Sequence, residues 1–326
     1  MKSKRKGKKM LLYIILIPII IIIAALFSFT YIRYRSDIRS DYDRLEALGS
    51  KTIETDHGTV QYAELGDGYP LLIIHGIFGG FDQGLITARD YYGEGFHAIV
   101  PSRFGYLGTP LPKDALPSDQ ADAFASLLDS LDIKKTAVMA TSAGGTSAIQ
   151  FVLRHPERVS ALVLISSNAP GETEAGLPPK PVAKVFFRSN YVFWLLSTYF
   201  SSNLQGIMGV PKGFEMTPEN KARVAAMIET VLPVNPRSDG AIYDMFISNF
   251  EINSGYPIHE ITTPVLIVSA LDDPLTLYKN AVSLAKEIPG AELITVQDGG
   301  HLLLGHDDEV KPKVVGFLKK YTLEDS

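Results

Sequence analysis

Short strand-like apolar runs recur along this chain at residues 59–65, 71–75, 98–101, 137–141, 161–166, 265–270 and 292–296, several of them continuous. Between them lie longer stretches of helical pattern at 119–131, 145–154, 277–287 and 308–320. Runs rich in Val, Ile and Leu, without polar alternates, are the mark of strands covered by helices on both faces. Strand–helix alternation restricts the chain to an α/β architecture around a mostly parallel sheet. The composition agrees: with 46% hydrophobic and 21% charged residues in 326, there is core enough for a domain of about 250–300 residues, and disorder is excluded.

Between residues 170 and 259 the rhythm stops. No strand-like run occurs there; the interval holds Pro178, Pro179 and Pro181, an aromatic stretch at 185–200 and a helical pattern at 218–232. An interval of this length is too long for a plain loop. It is read as a helical cap inserted over the carboxyl edge of the sheet, where it would shape a pocket. Its aromatic residues, among them Phe186, Phe187, Tyr191, Phe193, Trp194, Tyr199 and Phe200, suit a cap helix packed on the core. They equally suit an apolar substrate wall or a surface resting on a membrane.

The amino terminus differs in kind. Lys2, Lys4, Arg5, Lys6, Lys8 and Lys9 precede an apolar run at 10–32. About 20 residues in a helix cross a hydrocarbon core of about 30 Å, so the run is long enough to span. A cleaved signal peptide shares the basic-then-apolar start, but its apolar core is about 7–15 residues. The longer run, with no clear small-x-small cleavage site at its end, favours a retained single-pass anchor, and Pro18 within it is tolerated. The basic flank puts the N-terminus in the cytoplasm and the rest of the chain outside the membrane. The expected division is therefore basic segment and anchor at 1–35, stalk at 36–50, core at 51–169, cap at 170–260 and core again at 261–326.

Residues 1–35 hold eight Lys and Arg and no Asp or Glu, so the formal charge of −5 hides an acidic body near −13. Such a body argues against a nucleic-acid partner. The chain has no cysteine. That excludes a disulfide framework, a cysteine nucleophile, an iron–sulfur cluster, a thiolate zinc site and a lipidated-cysteine anchor.

Three segments carry chemistry. In Ala137-Val138-Met139-Ala140-Thr141-Ser142-Ala143-Gly144-Gly145 an apolar strand passes through small residues into a helix. A nucleophile on a sharp strand-to-helix turn needs small neighbours, and Ser142 sits where it would stand; a serine capping the next helix is the other reading. His75-Gly76-Ile77-Phe78-Gly79-Gly80 follows the strand at 71–74. Its backbone, with that of the helix start, offers N–H groups for an oxyanion, assigned here to Ile77 and Ala143. Finally, the strand at 265–270 leads to Asp272-Asp273-Pro274, and the strand at 292–296 leads to Gln297-Asp298-Gly299-Gly300-His301. An imidazole can carry the serine proton while a carboxylate fixes its tautomer, so His301 is read as general base and Asp273, ahead of Asp272, as its partner.

With Ser142, Asp273 and His301 in that chain order, the sequence resembles the α/β-hydrolase-fold serine hydrolases of the esterase and lipase superfamily. The resemblance covers about residues 52–321. It includes the His75-Gly76 oxyanion loop, the cap before the acid strand, and the segment 101–110, which is similar to the family's loop after the fourth strand. Two departures stand out: Ala140 replaces the first Gly of Gly-x-Ser-x-Gly, and Ser102 stands where many members have Asp. Haloalkane dehalogenases and epoxide hydrolases share the cap but use an Asp nucleophile, which Ser142 argues against.

The resemblance implies an α/β-hydrolase fold, with helices on both faces of a mostly parallel sheet and a helical cap. It also implies an acyl-enzyme mechanism needing no cofactor and no metal. The expected activity is hydrolysis of a lipophilic carboxylic ester, a small-molecule substrate, by an enzyme held to the cytoplasmic membrane through residues 10–32. The same triad also serves carbon–carbon hydrolysis, peptidase action and perhydrolysis, and a non-catalytic ligand-binding member would share the fold. Of the other histidines, His155 precedes Pro156 at a helix end, and His57, His97 and His259 lie apart. His306 competes with His301 but lacks the Gly-Gly turn, and Asp307, Asp308 and Glu309 fit a helix start.

Overall fold

The computed structural model describes residues 2–91, 95–172, 176 and 178–322, with side chains from Tyr13 onward. The basic side chains at 2–9 and the last four residues, 323–326, lie outside that description. Helix α1 (Lys2–Ala47) is continuous through Pro18. Its part Tyr13–Ala47 is long and apolar enough to cross a membrane, and no residue of its most apolar window is buried.

The chain then forms β1 (Lys51–Thr55), β2 (Gly58–Leu65), β3 (Gly68–Ile74), α2 (Phe81–Tyr91), β4 (Gly95–Pro101), α3 (Pro117–Ser130), β5 (Thr136–Thr141), α4 (Gly144–Arg154) and β6 (Val159–Ile165). Helices α5 (Lys180–Arg188), α6 (Asn190–Tyr199), α7 (Ser201–Leu204), α8 (Pro218–Thr230), α9 (Ser238–Tyr243) and α10 (Asn249–Glu251) follow. The sheet resumes with β7 (Val265–Ala270), α11 (Tyr278–Glu287), β8 (Glu292–Val296) and α12 (Asp307–Thr322).

The strand order is β1-β2-β4-β3-β5-β6-β7-β8. Only the β1–β2 and β2–β4 pairs are antiparallel; the rest are parallel, as the apolar runs require. Alternate residues of the central strands feed two cores. Val138, Ala140, Leu162, Leu164 and Ile267 pack with Phe124, Phe151 and Leu284 of α3, α4 and α11. Their neighbours Ala137, Met139, Val163, Leu266 and Val268 pack with Phe81, Leu85, Val314 and Leu318 of α2 and α12. Helices on both faces thus explain why the central strands β3, β5, β6 and β7 do not alternate polar with apolar. This is the α/β-hydrolase fold expected above.

Outside the cap, β1 and α2 had no sequence counterpart. Strand β1 is an exposed edge of Lys, Thr and Glu, so it carries no apolar run. Helix α2 follows directly on the glycine loop and buries only a narrow stripe through Phe81, Leu85 and Ala88. The aromatic stretch divides into α5 and α6 at Ser189, whose hydroxyl caps α6 by accepting the Val192 N–H at 3.2 Å. Phe187, Phe193 and Trp194 join Val224, Ile228 and Val231 in a third core, which also takes in Ile38 of α1 and Phe78 of the glycine loop.

Candidate active site

Ser142 stands between β5 and α4 at φ 52, a left-handed conformation that a non-glycine residue adopts only under constraint. The constraint is visible. Its N–H donates to the Ile165 carbonyl at 3.1 Å, and its own carbonyl accepts from Gly145 at 3.1 Å and Asn168 at 2.9 Å. The turn therefore lifts the side chain out of the sheet. Gly76 lies against it: a Cβ there would stand 2.8 Å from the Ser142 Cβ, so only glycine lets the 75–80 loop approach this closely.

Ala143 is the N-cap of α4. N–H groups at a helix start have no intrahelical acceptor, and the positive end of the helix dipole favours an anion there. Ile77, Ser142 and His301 line one cavity of about 340 Å³. Its walls are otherwise largely apolar, with Phe78, Ile86, Ile165, Met208, Met227, Val231 and Leu275 among them. At its rim α8 meets α12 through Arg223, which donates to Asp307 at 2.8 Å.

His301 lies in the tight turn after β8, and its Nδ1 is 2.8 Å from Oδ2 of Asp273, just beyond β7. Asp273 is held from several sides. Its Oδ1 accepts the N–H groups of Leu275 and Thr276 at 2.8 and 3.0 Å, and the Thr276 hydroxyl donates to Oδ2 at 2.6 Å. Burial pushes its carboxyl up, but His301 and these hydrogen bonds outweigh burial and hold it below the ordinary carboxylate range. An ionised Asp273 accepts the Nδ1–H hydrogen bond, which keeps the proton on Nδ1 and leaves Nε2 as the basic nitrogen. Asp272 does something else: its Oδ1 accepts the Gly300 N–H at 2.9 Å and pins the turn that carries His301.

His75 is tied into the backbone of the loops around it. Its Nε2 accepts the Arg103 N–H at 3.0 Å, so Nδ1 carries the proton toward the Gly76 carbonyl at 2.7 Å. Burial, reinforced by the Arg103 charge, pushes its pKa down to about 3. A neutral imidazole thus fastens the glycine loop to the loop after β4.

Sequence reasoning missed two buried ion pairs behind the site. Arg103 makes a two-pronged pair with Asp244 at 2.8 and 2.6 Å, joined by the Tyr106 hydroxyl. Arg237 pairs likewise with Asp82 at 2.9 and 2.8 Å and donates to the Gly79 carbonyl at 2.7 Å, fixing the glycine loop to the segment before α9. Arg44 of α1 completes this second cluster, donating to Asp82 at 3.1 Å and to the Leu232 carbonyl at 2.7 Å. The partners lie far apart in sequence, so no local pattern marks them. Gly209, whose carbonyl accepts the His301 N–H, was missed for the same reason.

Three of the remaining histidines are paired with carboxylates outside the site. His306 meets Asp298 at 2.7 Å, His155 meets Asp122 at 2.8 Å and His97 meets Glu64 at 3.0 Å. Among the described residues no group of three or more His, Asp or Glu is placed to hold a metal ion.

Comparisons with known proteins agree with this fold. A family model described as alpha/beta hydrolase fold matches residues 69–307. A poly(3-hydroxyalkanoate) depolymerase of Ectopseudomonas oleovorans is 27% identical over 281 residues, covering 83% of this chain and 92% of that protein. Lipase 1 of Psychrobacter immobilis is 26% identical over 275 residues, covering 83% of this chain and 81% of the lipase. Among solved structures, an alpha/beta hydrolase fold protein from Nakamurella multipartita aligns with a TM-score of 0.68 and 27% identity, over 83% of this chain and 99% of that one.

Proposed function

The chain belongs to the α/β-hydrolase family, and on that premise we propose that it is a membrane-anchored serine hydrolase that cleaves carboxylic esters through an acyl-enzyme. The observation that carries this reading is the 2.8 Å Asp273–His301 pair opening onto the cavity that Ser142 lines. The apolar walls of that cavity favour a lipophilic ester, and the similarity to a lipase and a polyester depolymerase points the same way.

In the first half-reaction Ser142 Oγ attacks the ester carbonyl as its proton passes to His301 Nε2. Asp273 holds the imidazole and stabilises the imidazolium. The carbonyl oxygen becomes an oxyanion facing the N–H groups of Ile77 and Ala143, where each donor is worth about 3 kcal/mol. The C–O bond then breaks, and the alcohol leaves with the proton from His301. Water repeats the sequence on the acyl-enzyme: His301 takes its proton, the acid departs and Ser142 recovers its own.

Membrane attachment rests on α1, whose apolar run at 10–32 follows a basic cluster. The cluster orients the N-terminus to the cytoplasm and the catalytic body to the outside. Full-length protein in detergent, assayed on p-nitrophenyl esters from acetyl to palmitoyl, tests the chemistry, with Ser142→Ala as control. Turnover that the variant abolishes supports the reading. Reaction of Ser142 with a fluorophosphonate without turnover of any ester would assign the triad to another bond, such as a carbon–carbon bond. A protein inert to both would be a binding member of the fold.

A further inference from the structure

We propose that the cap docks on the outer surface of the lipid bilayer, clamped there by α1, so that substrate reaches the cavity from the lipid side. The proposal rests on the anchor reading above. Helix α1 runs on through residues 36–47. It continues from the apolar run into the body, and its first contacts fall within the last turns of that run: Phe27 packs edge-on against Tyr191 with centroids 5.8 Å apart, and Thr30 shares a 2.9 Å hydrogen bond with the Tyr191 hydroxyl. Tyr34 packs edge-on against Tyr191 at 5.2 Å and against Trp194 at 5.6 Å, and Asp37 accepts the Trp194 Nε1–H at 2.9 Å. Arg44 then ties the helix to Asp82 and Leu232. Positions 27, 30, 34 and 37 form one helical stripe, all of it against α6. A helix gripped along such a stripe sets both the height and the rotation of the cap.

The height follows from helix geometry. A run at 10–32 rises about 34 Å, slightly more than a hydrocarbon core of about 30 Å. Tyr34 lies two residues, about 3 Å, beyond its end. The half-buried Tyr191 therefore stands at headgroup level, where Tyr rings are favoured, and Trp194 lies at the same height, shielded by protein.

From there the cap leads to the cavity. Tyr199, at the end of α6, lies under the Arg33 guanidinium at 5.8 Å. Next come Phe200 and Ile207, 52% and 41% exposed, and Ile207 and Met208 line the same cavity as Ser142. The cap segment that starts beside the anchor at Tyr199 thus carries exposed apolar side chains and reaches the cavity wall at Ile207, and a bilayer is the partner that would cover them.

Trp194 is the sole tryptophan, so its fluorescence reports the depth of the clamp. Full-length protein is reconstituted in phosphatidylcholine–phosphatidylglycerol vesicles, its insertion checked by carbonate extraction, and lipids brominated near the headgroup or deep in the acyl chain are compared. The expected result is quenching by the shallow bromolipid roughly twofold stronger than by the deep one. Phe200→Glu is expected to lower turnover of a vesicle-borne long-chain ester about tenfold, through loss of one buried aromatic, and to leave turnover of soluble p-nitrophenyl acetate unchanged. Protein that resists carbonate extraction but shows no quenching overturns the docking while leaving the anchor intact. So does a Phe200→Glu variant with full activity on the vesicle-borne ester. Release by carbonate overturns the anchor reading and the docking together.

Discussion

The Gly209 carbonyl accepts the His301 backbone N–H at 3.0 Å, so the imidazole is positioned from the cap side as well as from the sheet. Gly209 has φ +75, and a Cβ there would lie 2.2 Å from the His301 Cβ. Gly209→Ala must therefore push the histidine turn away. Steady-state kinetics on a short ester should show kcat falling about 100-fold, as expected when a catalytic group moves by about 1 Å, with KM little changed.

Asp272 and Asp273 are adjacent carboxylates with separate tasks, and substitution separates them. Asp273→Asn keeps the shape but loses the charge that fixes the His301 tautomer; kcat should fall by about 10⁴. Asp272→Asn keeps an oxygen able to accept the Gly300 N–H, and its kcat should stay within about threefold of the parent, since one neutral hydrogen bond is worth about 1 kcal/mol. Equal losses in the two variants would contradict the assignment of Asp273.

The Arg103–Asp244 pair should matter to stability. Both side chains are almost wholly buried, and Asp244→Ala would strand the guanidinium. Breaking a buried pair in this way costs about 3–5 kcal/mol. A fall in Tm of roughly 10 °C is expected by calorimetry, with the milder Asp244→Asn in between.

Asp41 gives the fold a pH dependence. Burial, only partly offset by Arg44, pushes its carboxyl up to about 6. The folded chain then keeps a proton that the unfolded chain releases near the ordinary value of 3.8. Stability from this residue is therefore full at low pH, falls as pH rises through that interval and stays reduced above it. Asp41→Asn should match the parent's Tm near pH 4 and exceed it at pH 7.5.

Much of this architecture was legible because its determinants are local. Strands such as β5 and β6 are buried along nearly their whole length, so their sequence is an apolar run whatever lies around them. Ser142, Asp273 and His301 each sit directly after such a run, which is where a parallel sheet presents its carboxyl ends. What escaped was set by distance or by weak burial. Arg103 and Asp244 meet only through the cap, as do Arg237 and Asp82. Gly209 is one glycine among many until the fold sets it against His301. The exposed edge β1 lacks any apolar signal. The aromatic residues of α6 announced burial without naming the partner, and for Tyr191 and Trp194 that partner is α1.

The central claim is covalent chemistry at Ser142, and trapping the acyl-enzyme tests it most directly. Protein mixed with a short p-nitrophenyl ester is acid-quenched within the first turnovers, and intact mass and peptide mapping follow. The account predicts one acyl group, on the peptide carrying Ser142, absent from Ser142→Ala and accumulating in Asp273→Asn if deacylation slows more than acylation. Turnover by Ser142→Ala at the parent rate, or an acyl group mapped to another residue, would contradict it.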